Sequence, residues 1–515
     1  MNPPPLRLAE PDTTPTAMNK SSTTQICSAI AESHPNRGRT GVSLALAGAL
    51  AMLPLHAVAQ QAAKPATLED ALVQIEALKK QMSDLEKFVK DQVQQRSASP
   101  PAPTPPPTAV ATQPPTASSP PSDKSLETGF VKWNELTVGK SKFKLYGFLR
   151  LDAIYDDSRP NNTQVPAYIR SEDPGAPAAI ASAPNSHDLT IHPRLTRFGL
   201  DFFGPEVAAL GDAKTGGKAE IDFYNTPSSE SRNAPRMRHA YLKLTWDNAF
   251  LLAGQTSDVI SPIYPIVNPD FVMWGAGNLG DRRPQFRGEW APKAGPGNFI
   301  LQGEAGLTSA DDGQDLDPAS AGAFRDGEAS GKPTLQVRVA YALPLWEKQK
   351  LEVGLWGHRA WEETDTPIGT SLRTRFDSKA AGVDLTIPLY KDIAWLKGEL
   401  WTGKNLSDVR GGILQGINTA TGNEVNSQGG WLELGLRPIK WFSIHGGYSM
   451  DNPDNGDLAG AAVPGRSRNS IWYGAIRGYF DPIEIGLDYL NWTTDYIGFG
   501  PGVDNRFQTY ISYKF

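Results

Sequence analysis

From about Lys142 to Phe515 the chain alternates apolar and polar side chains with a period of two, and it does so in sixteen separate segments. In the first, Phe143, Leu145, Gly147, Leu149, Leu151, Ala153 and Tyr155 share one face of an extended strand. Lys144, Tyr146, Phe148, Arg150, Asp152 and Asp156 share the other. The pattern recurs at 195–204, 217–225, 236–246, 250–257, 284–291, 299–308, 334–345, 350–361, 379–389, 394–402, 430–438, 441–450, 470–480, 483–492 and 505–515. A soluble antiparallel sheet alternates as well, so a single segment decides nothing. The connections decide. Those at 246–249, 345–349, 389–392, 438–440 and 481–482 are short, whereas 157–190, 258–282, 309–332, 403–428 and 451–469 are long and rich in Gly, Pro, Asn and Asp. An even strand count, with short turns on one side and long loops on the other, is the arrangement of a transmembrane β-barrel. A soluble sandwich has no reason to keep that parity. Phe507, Ile511, Tyr513 and Phe515 fall on one face of the last segment, and this aromatic strand is expected to pair with the first and close the sheet.

Composition agrees with a barrel and argues against its rivals. The chain has 515 residues, 39% of them hydrophobic, and a mean hydropathy of −0.39. It holds no run of the ~18 apolar residues a membrane-crossing helix needs. Barrel strands turn only half their residues to lipid, so that test does not touch them. A net charge of −6 gives no support for nucleic-acid binding, and no basic arm is present.

Three segments precede the strands. Arg37 and Arg39 lead into the apolar run 41–53, followed by Ala57-Val58-Ala59. This reads as a secretory signal peptide over 1–59, its long leader shortened if translation starts at Met18. Cys27 lies before the apolar run, so the processed chain would hold no cysteine. Over 66–95, Leu68, Ile75, Met82 and Val89 repeat every seven residues, with Ala71, Leu78, Leu85 and Gln92 between them. That narrow seam predicts a self-associating coiled-coil helix, with a solitary amphipathic helix as the alternative. Residues 96–128 are rich in Pro, Ala, Thr and Ser and form a semi-rigid linker. The barrel then occupies 129–515.

Short blocks inside the barrel resemble those of trimeric Gram-negative porins. Thr196-Arg197-Phe198-Gly199-Leu200 resembles their second strand, Lys218-Ala219-Glu220-Ile221 the third, and 238–244 the fourth. Leu252-Ala253-Gly254-Gln255 resembles the fifth, with the usual pore arginine missing. Signal, helix, linker and then Lys144-Leu145-Tyr146-Gly147-Phe148-Leu149-Arg150-Leu151 together resemble the DcaP-like porins. The terminal aromatic strand is similar to the sorting signal of outer-membrane proteins. The resemblance implies a sixteen-stranded homotrimeric channel in outer-membrane lipid, with a third loop folded into the lumen as a constriction. It also implies uptake of anionic solutes, dicarboxylates among them.

The residues suggest where such a channel would act. Segment 258–282 carries Pro262, Pro265, Phe271 and Trp274 and is too apolar in patches to float in water, so it is the expected constriction. By strand parity Arg150, Arg197, Lys243, Arg338, Arg287 and one of Arg282 and Arg283 point inward, and Arg283 and Arg287 follow the constriction directly. Guanidinium groups in a narrow wet passage favour carboxylates. Inward carboxylates such as Asp152, Glu220, Glu304, Glu352 and Glu399 support a second reading, in which the charges only hold the wall together and the channel is weakly selective. A third makes the barrel an anchor, with the coiled coil reaching the cell wall. Enzymatic readings are weak. His239 and His358 have no adjacent serine, and Ser443 with His445 reads as wall lining. The run Asp311-Asp312-Gly313-Gln314-Asp315-Leu316-Asp317 lacks a closing glutamate and reads as a solvated acidic loop rather than a metal site. No cofactor is implied.

Overall fold

Period-two patterning fixes each side chain of a strand to one face, and that is enough to sort this chain into a lipid side and a lumen side. The computed structural model describes residues 135–225, 233–267, 272–318, 324–346, 349–461 and 463–515. The expected signal peptide (1–59), coiled-coil helix (66–95) and linker (96–128), and also Phe271, lie outside the described residues.

Sixteen long strands form one closed antiparallel barrel. They are β1 (Ser141–Asp156), β2 (Arg197–Val207), β3 (Ala213–Asn225), β4 (Asn233–Thr245), β5 (Ala249–Ser257), β6 (Arg282–Trp290), β7 (Gly297–Gly306) and β8 (Thr334–Pro344). Then come β9 (Lys350–Ile368), β10 (Arg373–Tyr390), β11 (Ala394–Lys404), β12 (Asn426–Ile439), β13 (Phe442–Pro453), β14 (Arg466–Phe480), β15 (Ile483–Tyr496) and β16 (Phe499–Lys514). The last strand pairs with the first from Lys514 opposite Phe148 to Phe507 opposite Tyr155, so the barrel closes there and leaves no edge between β1 and β16. A detached piece, Asp188–His192, continues the line of β2 against the upper half of β1. Pro193 interrupts the two pieces, because it has no N–H to give the ladder.

The short turns stay short. The far side carries the long loops, with two exceptions at 369–372 and 497–498. There the neighbouring strands β9 and β10 run for 19 and 18 residues, well beyond the roughly 9–11 needed to cross a bilayer. Residues 362–368 and 373–378, which lie outside the expected strand segments, are therefore projecting strand on either side of the turn at 369–372.

Outward positions are apolar and bare. Leu149, Leu242, Phe286, Leu355, Leu400 and Trp472 are among many that are 48% exposed or more. A band of that kind is intolerable in water and at home in acyl chains. Inward positions carry the charges. One half of the lumen is also filled: Ile260, Val267, Met273, Ala276 and Leu279 of segment 258–281 pack on inward side chains that include Trp356, Trp401, Ile471 and Trp492.

Candidate functional site

The wall holds segment 258–281 by main-chain anchors. Val259 N donates to Glu304 and Gln336, both at 2.9 Å. Ile266 N donates to Glu433 at 2.7 Å, and Arg477 and Trp401 donate to the Ile266 and Gly277 carbonyls, each at 2.7 Å. Gly277, at φ 122°, comes so close to β12 that a Cβ there would lie 2.4 Å from the Gly430 carbonyl oxygen. Only glycine fits that approach. The described parts of the segment thus lie against β6 through the Asp258–Arg283 pair and against strands between β7 and β15. Pro265 and Trp274 are buried in the packing and Pro262 is half-buried, whereas Tyr264 is the more exposed residue beside them.

The basic residues expected to line the solute path divide into two groups. Arg150 is clamped by both oxygens of Asp152, at 2.8 and 2.7 Å, and lies 3.5 Å from the Tyr510 ring centroid. Arg338 is held the same way by Asp384 and also by Glu352. Arg283 has no exposed surface; Asp258, Asp408 and Asp311 take its N–H groups at 2.7, 2.6 and 3.1 Å. All three arginines are buried. Same-strand, cross-strand and loop carboxylates within 3 Å or so hold them, an outcome parity cannot register. Arg197, Arg287 and Lys243 remain partly water-facing. Arg287 shares Glu304 at 3.4 Å, and Arg197 reaches Glu220 at 3.5 Å. Lys243 makes no ion pair among the described residues and sits over the Phe250 ring at 3.9 Å.

Around Arg197 the structure assembles a larger cluster. Arg236 and Arg238 share Asp222, and Arg238 also takes Glu220 at 2.9 Å. Arg282 and Arg410 share Asp281, at 3.2 and 2.7 Å. Burial works to raise the Asp281 carboxyl, but Arg282, Arg410 and, across the gap, Arg236 hold it below the usual range. The order of burial matters here. The Asp222 and Glu220 side chains are 0% and 6% exposed, whereas Arg236, Arg197 and Arg238 above them keep 27%, 20% and 12%. Water in the passage therefore meets guanidinium, with carboxylate behind it. Arg236, Arg238 and Arg410 are the residues that the sequence reading missed, and of the pair Arg282 and Arg283 it is Arg282 whose side chain keeps 12% exposure while Arg283 keeps none.

Other polar groups turn out to fasten loops. Asp311 and Asp312, expected in a solvated loop, are instead packed against Arg283 and Ser407. Asp315, Asp317 and Asp326 gather their carboxylates within 4.8 Å, and both oxygens of Asp326 accept from Leu316 N. Ser443 Oγ lies 2.9 Å from His445 Nε2, and His445 Nδ1 lies 3.2 Å from Glu433. The serine is wholly buried, and Glu433 is the carboxylate that anchors Ile266, so this trio belongs to the wall. His358 meets Ser378 across the strand pair at 3.0 Å, also buried.

No protein-family model and no curated protein matches the chain. Solved structures do. The outer membrane channel DcaP of Acinetobacter baumannii superposes with a TM-score of 0.56 at 18% identity, over 73% of this chain and 97% of that one. An anion-selective porin from Comamonas acidovorans gives a TM-score of 0.45 at 12% identity, over 73% and 100%. OprB of Pseudomonas putida gives 0.44 at 10%, over 72% and 94%. The first likeness establishes the shared fold. A closed barrel with this apolar girdle satisfies every backbone group internally and belongs in an outer membrane.

Proposed function

We propose that this chain, which shares its fold with the DcaP channel, is a passive channel for small hydrophilic solutes and that it favours anions. The observation that carries the reading is the arginine cluster on β2–β4 and the loop facing it. Among the described residues, Arg197, Arg236, Arg238, Arg282 and Arg410 make their direct ion pairs with three carboxylates, Glu220, Asp222 and Asp281. The excess is positive, and it is the wet layer. An anion leaving bulk water for this passage gains from each uncompensated guanidinium, and a carboxylate gains further from paired N–H donors.

Dicarboxylates suit such a surface because two charges respond to the same field twice. Arg283 has no part in this selection, because three carboxylates neutralise it in the loop frame. The barrel works as a homotrimer, a reading that rests on the heptad pattern in the sequence at 66–95 and on the shared fold. Reversal potential in a salt gradient tests the selectivity. Preference for chloride over potassium is the expected result. Equal permeability would leave a general channel, in which paired charges serve only to hold the wall.

A further inference from the structure

The loop that follows β1 folds back on itself. Arg170 N donates to Arg159 O at 3.0 Å, and Pro160 bridges Ile169 in antiparallel register. That register sets Arg159 and Arg170 directly opposite each other on a two-stranded turn. Like charges so placed repel, yet neither guanidinium has an ion-pair partner among the described residues. Both line a cavity of about 1050 Å³ at the long-loop mouth of the barrel.

The rest of the lining is tuned to the same sign. Asn161 Oδ1 accepts from Ala167 N and Tyr168 N, and Asn162 Oδ1 accepts from Gln164 N and Val165 N. With both oxygens committed, the two amides are left with N–H groups to offer. Asp188 is the one carboxylate among the described lining residues. Tyr224 closes the inner side, and its ring also lies 5.8 Å from the Arg236 guanidinium, so the cavity abuts the outer end of the arginine cluster.

We infer that this cavity is a capture site for sugar acids, in which a carboxylate bridges Arg159 and Arg170, hydroxyls take the asparagine amides and a sugar face rests on Tyr224. The volume suits a uronate-bearing disaccharide better than a four-carbon diacid. The inference rests on the channel reading and not on the selectivity assigned to the β2–β4 cluster.

The test uses the full chain in a planar bilayer at low salt, ~0.05 M, where exposed charges are least screened. Digalacturonate and maltose, added in turn from the long-loop side, are the probes. Digalacturonate should interrupt the wild-type current at a concentration at least tenfold below that for maltose. Arg159→Gln with Arg170→Gln should raise its half-blocking concentration about tenfold, the loss expected for charged hydrogen bonds, and shift reversal potential less than the paired replacement of Arg236 and Arg238 does. The Lys double variant should fall between, keeping charge but not the paired donors. Equal block of wild type and the Gln variant, or no preference over maltose, overturns the inference. If block is lost only when Arg236 and Arg238 are replaced, the site is the cluster and the inference falls while the channel stands. A protein that passes no current sinks the channel reading, and calorimetric binding of digalacturonate to wild type and the Gln variant in detergent then decides the site by itself.

Discussion

Replacing Arg236 and Arg238 together with glutamine should bring the channel close to charge neutrality at its narrow side. Among the described residues, five guanidiniums are ion-paired to three carboxylates here, five less three leaving two positive charges in excess, and the double variant takes that excess to none. Two unit charges at ~7 Å contribute ~1.2 kcal/mol to a passing anion in bulk water. Screening over a Debye length of about 8 Å lowers that to ~0.5 kcal/mol. Local anion concentration then changes by a factor of about two to three, and cations are depleted equally, so the permeability ratio should fall about fivefold. A dianion feels twice the field, and its flux should drop about fivefold relative to a neutral sugar of similar size. Glutamine is chosen over alanine because the Asp222 side chain has no exposed surface; stripping its donors would leave a buried charge unpaired. Reversal potential and solute flux in liposomes are the readouts. An unchanged reversal potential in a folded barrel refutes the reasoning, because the buried carboxylates would then be cancelling the arginines at the water surface. Equal losses of sugar and dicarboxylate flux refute it too, reducing the arginines to a steric lining.

Arg283→Ala should leave selectivity almost untouched but strip the partner from Asp258, Asp311 and Asp408. Roughly 3–5 kcal/mol of local stability should go with it, read as faster hydrogen exchange in 258–281 and 405–414. Burial pushes the Asp311, Asp312 and Asp326 carboxyls upward, the last to about 7. The packed loop then binds protons more tightly than the opened one, so its closure is strongest below the ordinary carboxylate range and weakens as pH rises through about 7. Exchange in 309–318, corrected for its chemical rate, should be faster at pH 8 than at pH 5, and the reverse order would contradict the burial. Deleting residues 60–125 leaves every described strand in place. It should slow or weaken trimer assembly while the barrel still folds, and a wild-type mass in detergent equal to one chain would end the trimer reading.

How much of this was legible in the sequence depended on whether parity survived. A clean strand such as β8 alternates nearly end to end, with Thr334, Gln336 and Arg338 on one face and Leu335, Val337 and Val339 on the other, and its faces follow from the sequence alone. The extended ends of β9 and β10 did not, because Thr364-Asp365-Thr366 and Arg373-Thr374-Arg375 are polar on both sides, as strand in water can be. The β2–β4 cluster was hidden for a different reason. A bulge between Glu220 and Ile221 leaves Arg238 without a register partner between His239 and Met237, so a two-residue count along β4 loses its phase there. Arg410 was invisible for a third reason: it sits in a loop 129 residues from Asp281, the group it binds.

Charge alone does not make a lumen selective; what covers each charge does. Along β7–β15 the loop segment 258–281 lies on the inner wall, and the arginines beneath or beside it, Arg338 and Arg477, have side chains only 3% and 2% exposed. Removed from water, each is tied to an aspartate at close range, and a passing solute sees a neutral dipole. On β2–β4 the same Arg–Asp chemistry is inverted in depth, with the acids sunk and the guanidiniums wet. For Arg338 and Arg477 the difference follows from where the loop lies, whereas Arg150 and Arg506, away from it, are buried against Asp152 and Asp156 by their own neighbours. Moving the loop off its anchors should therefore change selectivity without altering a single pore charge. Trp401→Phe tests this, since it deletes the 2.7 Å bond to the Gly277 carbonyl, worth ~1 kcal/mol, and leaves every ion pair in place. Larger conductance with a reduced anion preference is the expected result. Larger conductance with the preference unchanged would mean that the loop sets the size of the passage and has no hand in its sign.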